Sequence, residues 1–97
     1  MQAVHNPMYM EFIACLRNAR KAKRLSQRAL GKLLRKPQSY IAKVETCERR
    51  LDLIETVEWC VALRVSLDSV LPMKLRNLLI KSRRSRSKQS TSEDSDV

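Results

Sequence analysis

Gln38, Ser39 and Lys43 place a carboxamide, a hydroxyl and an ammonium at spacings of one, four and five, a single outward stripe if the segment is helical. Those groups have the chemistry of base readers. A Gln side chain can pair bidentately with adenine and a Lys with guanine O6/N7, each for roughly 1–3 kcal/mol of discrimination. A hydroxyl serves several bases and specifies less. Arg28, Arg35, Lys36, Arg49 and Arg50 flank the stripe on both sides. As a set they have the chemistry to pair with phosphate oxygens.

No rival chemistry stands out. The chain has no carboxylate pair, no Cys/His couple and no glycine loop that would cradle a phosphate, so an enzyme is not expected. Its three cysteines, Cys15, Cys47 and Cys60, are far apart, and the one histidine is His5. That excludes the usual zinc spacings and a disulfide framework, so no metal and no cofactor are expected. Reduced thiols fit best. Cys47 lies in a cation-rich loop, where a lowered pKa would make it a candidate oxidant sensor.

Charge tells the same story as the stripe. The 97 residues carry a net charge of +10. It is unevenly spread: residues 1–50 hold 12 Lys/Arg against 3 Asp/Glu, residues 51–73 hold only Arg64 against four acids, and residues 74–97 hold 7 basic against 3 acidic residues. One face is therefore expected to meet a polyanion. No apolar run approaches the roughly 20 residues of a membrane span. The expected location is cytoplasmic, on the nucleoid when DNA is bound, with no membrane partner.

Helices must carry these groups. A single glycine and 4% aromatics argue against hairpin-rich β structure, leaving an all-α domain. Residues 1–8 read as a flexible lead-in. From Tyr9 to about Lys23, Phe12, Ile13, Leu16 and Ala19 recur at helical spacing. Ser26 caps a second helix that runs to about Leu34, with Leu30, Leu33 and Leu34 available to a core. Pro37 suits the first position of a third helix, whose inward residues are Ile41 and Val44, with Tyr40 a packer at the core edge. Asp52 caps a fourth helix with a broad apolar face of Leu53, Ile54, Val57, Cys60 and Val61, and Trp59 and Cys60 as core or core-edge residues. Ser66 caps a fifth, carrying Leu67, Val70 and Leu71, after which Pro72 breaks or restarts the chain. Residues 81–97 are Ser-rich and basic, and read as a disordered tail.

This order of elements resembles the Cro/C1-type, or Xre-type, family of phage and bacterial regulators over roughly residues 10–72. The residues that carry the resemblance are Arg20, Leu25-Ser26-Gln27, Leu30, Ile41/Val44/Glu45 and Val65-Ser66-Leu67-Asp68 with Val70-Leu71. Pro37-Gln38-Ser39-Tyr40-Ile41 and Glu48-Arg49-Arg50-Leu51-Asp52 look like a common subtype. Two departures stand out: Arg35 and Cys47 sit where many members have a glycine in left-handed conformation. The resemblance implies a compact five-helix, lambda-repressor-like domain at 9–80, with helices two and three as the helix-turn-helix. It also implies a structural salt bridge between Arg20 and Glu45, base reading from Gln38, Ser39 and Lys43, and a phosphate contact from Gln27 at the start of the second helix. Segment 66–80 is the candidate dimerisation segment, with Val70, Leu71, Met73, Leu75, Leu78 and Leu79 facing the partner copy.

The expected function is a sequence-specific, double-stranded DNA-binding transcriptional regulator, a homodimeric repressor on a palindromic operator. The alternatives are a DNA-binding antitoxin or the controller of a restriction–modification system and, from another class, a protein-interaction adaptor. The tail is a candidate contact for a protein partner.

Overall fold

The computed structural model describes residues 5–82, which are all-α. Five helices are α1 (Pro7–Ala22), α2 (Gln27–Leu34), α3 (Gln38–Glu45), α4 (Leu53–Leu63) and α5 (Leu67–Val70). A sixth, α6, covers residues 73–82. Pro72 thus ends one helix and admits another, so there are six helices where five are expected. The bulk of the expected tail, like the start of the expected lead-in, lies outside the described residues.

α1 starts earlier than its apolar spacing predicts. Asn6 accepts a hydrogen bond from the Tyr9 N–H at 3.0 Å, and Pro7 takes the first helical position, where its missing N–H costs nothing. Residues 7 and 8 therefore belong to the helix and not to a lead-in. Ser26 caps α2 through the Ala29 N–H at 2.9 Å. Pro37 stands one place outside α3, as its N-cap, with ψ of 158°.

α1, α2, α3 and α4 close around Ile13, Leu16, Leu30, Ile41, Val44, Trp59 and Leu63, all at 2% exposure or less. Each such side chain stabilises the fold by roughly 1.5–3 kcal/mol. Gly31 lies in this packing: a Cβ there would come within 2.6 Å of the Lys36 carbonyl oxygen. The turn between α2 and α3 is that tight because Lys36 N–H returns to Gly31 O at 2.8 Å.

α4 is turned differently from the expected apolar face. Asp52 and Glu55 form a reciprocal capping box, at 2.7 and 3.1 Å. The buried residues are Thr56, Trp59, Cys60 and Leu63, whereas Leu53, Ile54 and Val61 are 71–72% exposed. Apolar residues occur nearly all round this helix, so periodicity selects no face. The largest side chain does: Trp59 is fully buried and donates its Nε1–H to Tyr40 Oη at 3.2 Å. Thr56 tolerates burial because its hydroxyl donates to Asp52 O at 2.7 Å. On α2, Leu33 is likewise exposed and not in the core.

Among the described residues, four non-glycine residues adopt the left-handed conformation: Arg24, Arg35, Cys47 and Arg64. Two of these are the positions where the family resemblance leads one to expect glycine. Left-handed backbone costs each roughly 1–2 kcal/mol. Burial pushes the Cys47 thiol up from its ordinary value, the opposite direction from the lowered pKa that a cation-rich loop suggests.

The C-terminal helices are tied on by polar contacts. Arg76 donates to the carbonyls of Asp68, Ser69 and Leu71 at 3.1–3.2 Å, covering the end of α5. Glu11 of α1 accepts from the Met73 N–H at 3.2 Å, at the start of α6.

Candidate nucleic-acid interface

α3 is split lengthwise. Ile41 and Val44 are wholly buried, while Gln38, Ser39 and Lys43 are exposed. The three expected readers therefore share one outward surface, as their spacing requires. Tyr40 sits half-buried at the edge between the two sides, under Trp59 Nε1.

A polar frame fixes the ends of this helix. Arg20 Nε donates to Glu45 Oε2 at 2.6 Å and Arg20 Nη2 to Glu45 Oε1 at 3.0 Å, a fork-to-carboxylate pair across α1 and α3. Arg20 Nη1 donates to Leu25 O at 2.7 Å, fastening the turn before α2 to the same guanidinium. Both charges are nearly buried, so each depends on the other for compensation. Gln27 joins at the start of α2: its Nε2 donates to Glu45 Oε1 at 3.0 Å, and its Oε1 accepts from Gln38 Nε2 at 3.4 Å. The frame thus ends on the surface at Gln38. A carboxamide has two N–H donors, so exposed Gln38 has a second N–H and a carbonyl oxygen beyond this bond.

The expected phosphate anchors divide into two groups. Arg28, Arg35 and Lys36 are exposed beside α3. Arg35 caps α2 with φ 58° and ψ 43°, so its side chain leaves the turn and not a helix face. Lys36 Nζ stands 5.4 Å from the Tyr40 ring centroid. Gln27 is half-buried and engaged on both its polar atoms. Arg49 and Arg50 are placed otherwise. Arg50 lies over the Tyr9 ring of α1, 5.1 Å from its centroid, and lines an apolar groove of about 380 Å³ with Phe12, Leu53, Leu71 and Leu75. Arg49 forks onto Glu55 at 3.1 and 2.7 Å and covers the Tyr40 ring at 4.8 Å. This contact holds the Glu55 carboxyl below the usual carboxylate range. Burial pushes the Tyr40 hydroxyl up.

Of the expected dimer residues, Val70 is 1% exposed and belongs to the monomer core. Leu71 and Leu79 are half-buried, and Met73, Leu75 and Leu78 are exposed. Among the described residues no cluster of metal-ligating side chains occurs, and no helix is long and apolar enough to cross a membrane.

A sequence profile of the helix-turn-helix family, of the Cro/C1 or Xre type, matches residues 16–70. The chain belongs to this family. Its members are DNA-binding transcriptional regulators, and α2 and α3 are the helix-turn-helix of this Xre-type chain. Among solved structures, an Xre-family-like protein from Pseudomonas syringae is 35% identical, over 68% of this chain and 80% of that one, with TM-score 0.64. The restriction-modification controller protein C.AhdI from Aeromonas hydrophila is 30% identical, over 65% and 96%, with TM-score 0.60. The clp gene regulator ClgR from Corynebacterium glutamicum is 26% identical, over 67% and 86%, with TM-score 0.61. No curated protein sequence matches the chain.

Proposed function

We propose that this Xre-type regulator is a homodimeric repressor that binds a palindromic operator in the cytoplasm, with α3 of each copy in the major groove. The observation that carries this reading is the exposed stripe of Gln38, Ser39 and Lys43 on a helix whose opposite face is wholly buried. Gln38 suits adenine, because its free N–H and carbonyl oxygen match N7 and N6 of that base. Lys43 suits guanine, and Ser39 tolerates several bases. Arg28, Arg35 and Lys36 supply phosphate contacts, with Gln27 both framing Gln38 and approaching the backbone. One helix contacts too few base pairs to select a site, so two copies related by a two-fold axis read half-sites about 34 Å apart. Leu71, Met73, Leu75, Leu78 and Leu79 supply the apolar surface for that pairing, without Val70. Occupying promoter DNA then blocks transcription.

The likeness to C.AhdI favours one second reading, the controller of a restriction–modification system. A tail contact with a protein partner belongs to either reading and falls outside the described residues.

Selection of duplexes from a random library tests the proposal. Enriched two-fold symmetric sites, with preferences that change in Gln38→Ala and Lys43→Ala, are the expected result. Binding without sequence preference, unchanged in both variants, would sink the assignment. Transcription from a promoter overlapping the selected site then separates a repressor from an activator.

A further inference from the structure

Arg49 has the charge and sequence position of a phosphate anchor, yet both its terminal nitrogens donate to groups of the protein, although the side chain is partly exposed. Nη1 and Nη2 reach both oxygens of Glu55, and Nη1 also lies 3.2 Å from the Arg50 carbonyl oxygen. Its guanidinium carbon lies over the Tyr40 ring, 4.8 Å from the centroid, and Tyr40 is one residue from Ser39 and two from Gln38. Glu55 in turn holds the N-terminus of α4 through the capping box, and Trp59 one turn later holds Tyr40 by its hydroxyl. Two routes therefore run from α4 to the same ring in the first turn of α3. Arg20, Gln27 and Glu45 fasten the other end and the outer edge of that helix; without Arg49 its first turn keeps packing, Trp59, the Lys36 contact to the Tyr40 ring and the 3.4 Å bond from Gln38 to Gln27.

We propose that Arg49 is a positioning residue, not a phosphate contact: paired with Glu55 and laid over Tyr40, it fixes the first turn of α3 and hence the aim of Gln38 and Ser39. This rests on α3 being the base-reading helix. The two roles differ in what they require of Glu55. A phosphate contact competes with Glu55, so removing the carboxylate's charge frees the guanidinium and strengthens binding. A positioning residue needs Glu55, so the same change weakens binding and loosens base preference. The roles differ in salt dependence as well. Losing one phosphate contact flattens the slope of log affinity against log salt by about 0.9, whereas losing alignment leaves it in place.

The experiment measures binding of the full chain to the duplex enriched by library selection, and to single-base variants of its half-site, across a salt series. Arg49→Gln, Glu55→Gln and the double variant are compared, with urea unfolding of each to establish that it is folded. Arg49→Lys keeps the charge but not the fork. The expected result is roughly tenfold weaker binding in Arg49→Gln, Glu55→Gln and Arg49→Lys, the double variant no weaker than either single, an unchanged salt slope and reduced discrimination at the bases nearest Gln38 and Ser39. A slope flattened by about 0.9 in Arg49→Gln, with tighter binding in Glu55→Gln, would overturn the proposal and make Arg49 an anchor. If the unaltered chain enriches no duplex, the base-reading role of α3 fails and the positioning role fails with it.

Discussion

The two halves of the molecule treat their outer surfaces in opposite ways. From α1 to α3, most large apolar side chains are gathered inside, Met10 and Leu33 excepted, and what faces out around α3 is polar and basic: Gln38, Ser39, Lys43, Arg28, Arg35 and Lys36. From α4 to α6, apolar side chains remain outside as well: Leu53, Ile54 and Val61 on α4, and Met73, Leu75 and Leu78 on α6. Among the described residues, the one pair of nearly buried charges, Arg20 and Glu45, lies in the first half. Water-facing polarity over a buried frame suits a polyanion such as DNA, whereas unburied leucine and valine suit another protein surface.

The largest effect should come from the frame. Glu45→Ala leaves Arg20 nearly buried and without its carboxylate, which costs about 3–5 kcal/mol and takes Gln27 out of register with Gln38. Val61→Ser, on an exposed face in the other half, should change stability by less than about 0.5 kcal/mol. Urea midpoints of the two variants test the contrast. Equal losses would mean that the apolar exterior of α4 is part of the fold and not a surface left over.

Next comes the apolar exterior of α6. Met73→Asp with Leu78→Asp, both at exposed positions, should leave the unfolding midpoint nearly unchanged. It should halve the mass seen by sedimentation and weaken operator binding about a hundredfold, because two tethered half-site contacts become independent. A variant that remains a dimer would move the pairing surface to α4, where Leu53 and Ile54 are the obvious successors.

The same contrast explains what could be read from the chain. In the first half, residue type and spacing agree: Ser26 caps, Ile41 and Val44 point in, and Arg20 meets Glu45 where the family resemblance puts them. The left-handed Arg35 and Cys47 were legible for the same reason, since a turn position can be compared with the family's glycines. In the second half spacing gives no answer, because α4 is apolar on nearly every side and only the size of Trp59 and its bond to Tyr40 decide what is buried. The pairing of Arg49 with Glu55 joins a loop to a helix, six residues apart, and no helical or strand period marks it. The start of α1 was missed because its signal is Asn6-Pro7, a cap and a first position, and not apolar periodicity.

A smaller effect follows from the Glu55 carboxyl, which Arg49 holds below its ordinary value. A depressed folded-state pKa means that the stabilisation is present above the unfolded value of 4.5 and is lost as pH falls through the folded one. About 1 kcal/mol is at stake, since Arg49 is partly exposed to solvent. Unfolding free energy measured from pH 6 down to pH 2 should fall for the unaltered chain, and Glu55→Gln should remove part of that fall. An unchanged acid limb would show that the ion pair contributes no net stability.

The smallest effect sets one half directly against the other, because Arg35 and Arg64 share a conformation. Both end a helix in the left-handed region, with φ 58° and ψ of 43° and 46°, and both are exposed. Glycine relieves the steric cost at either position but enlarges the unfolded ensemble, so Arg35→Gly and Arg64→Gly should each stabilise by only about 0.5–1 kcal/mol. In stability the two substitutions are equivalent. In DNA binding they should part: Arg35 stands beside the reading helix, and its loss should flatten the salt slope by about 0.9, while Arg64, at the far end of α4, should leave it unchanged. Equal flattening would extend the DNA contact onto the second half of the molecule and dissolve the division. No flattening in either would remove Arg35 from the phosphate contacts and leave Arg28 and Lys36 to hold the backbone.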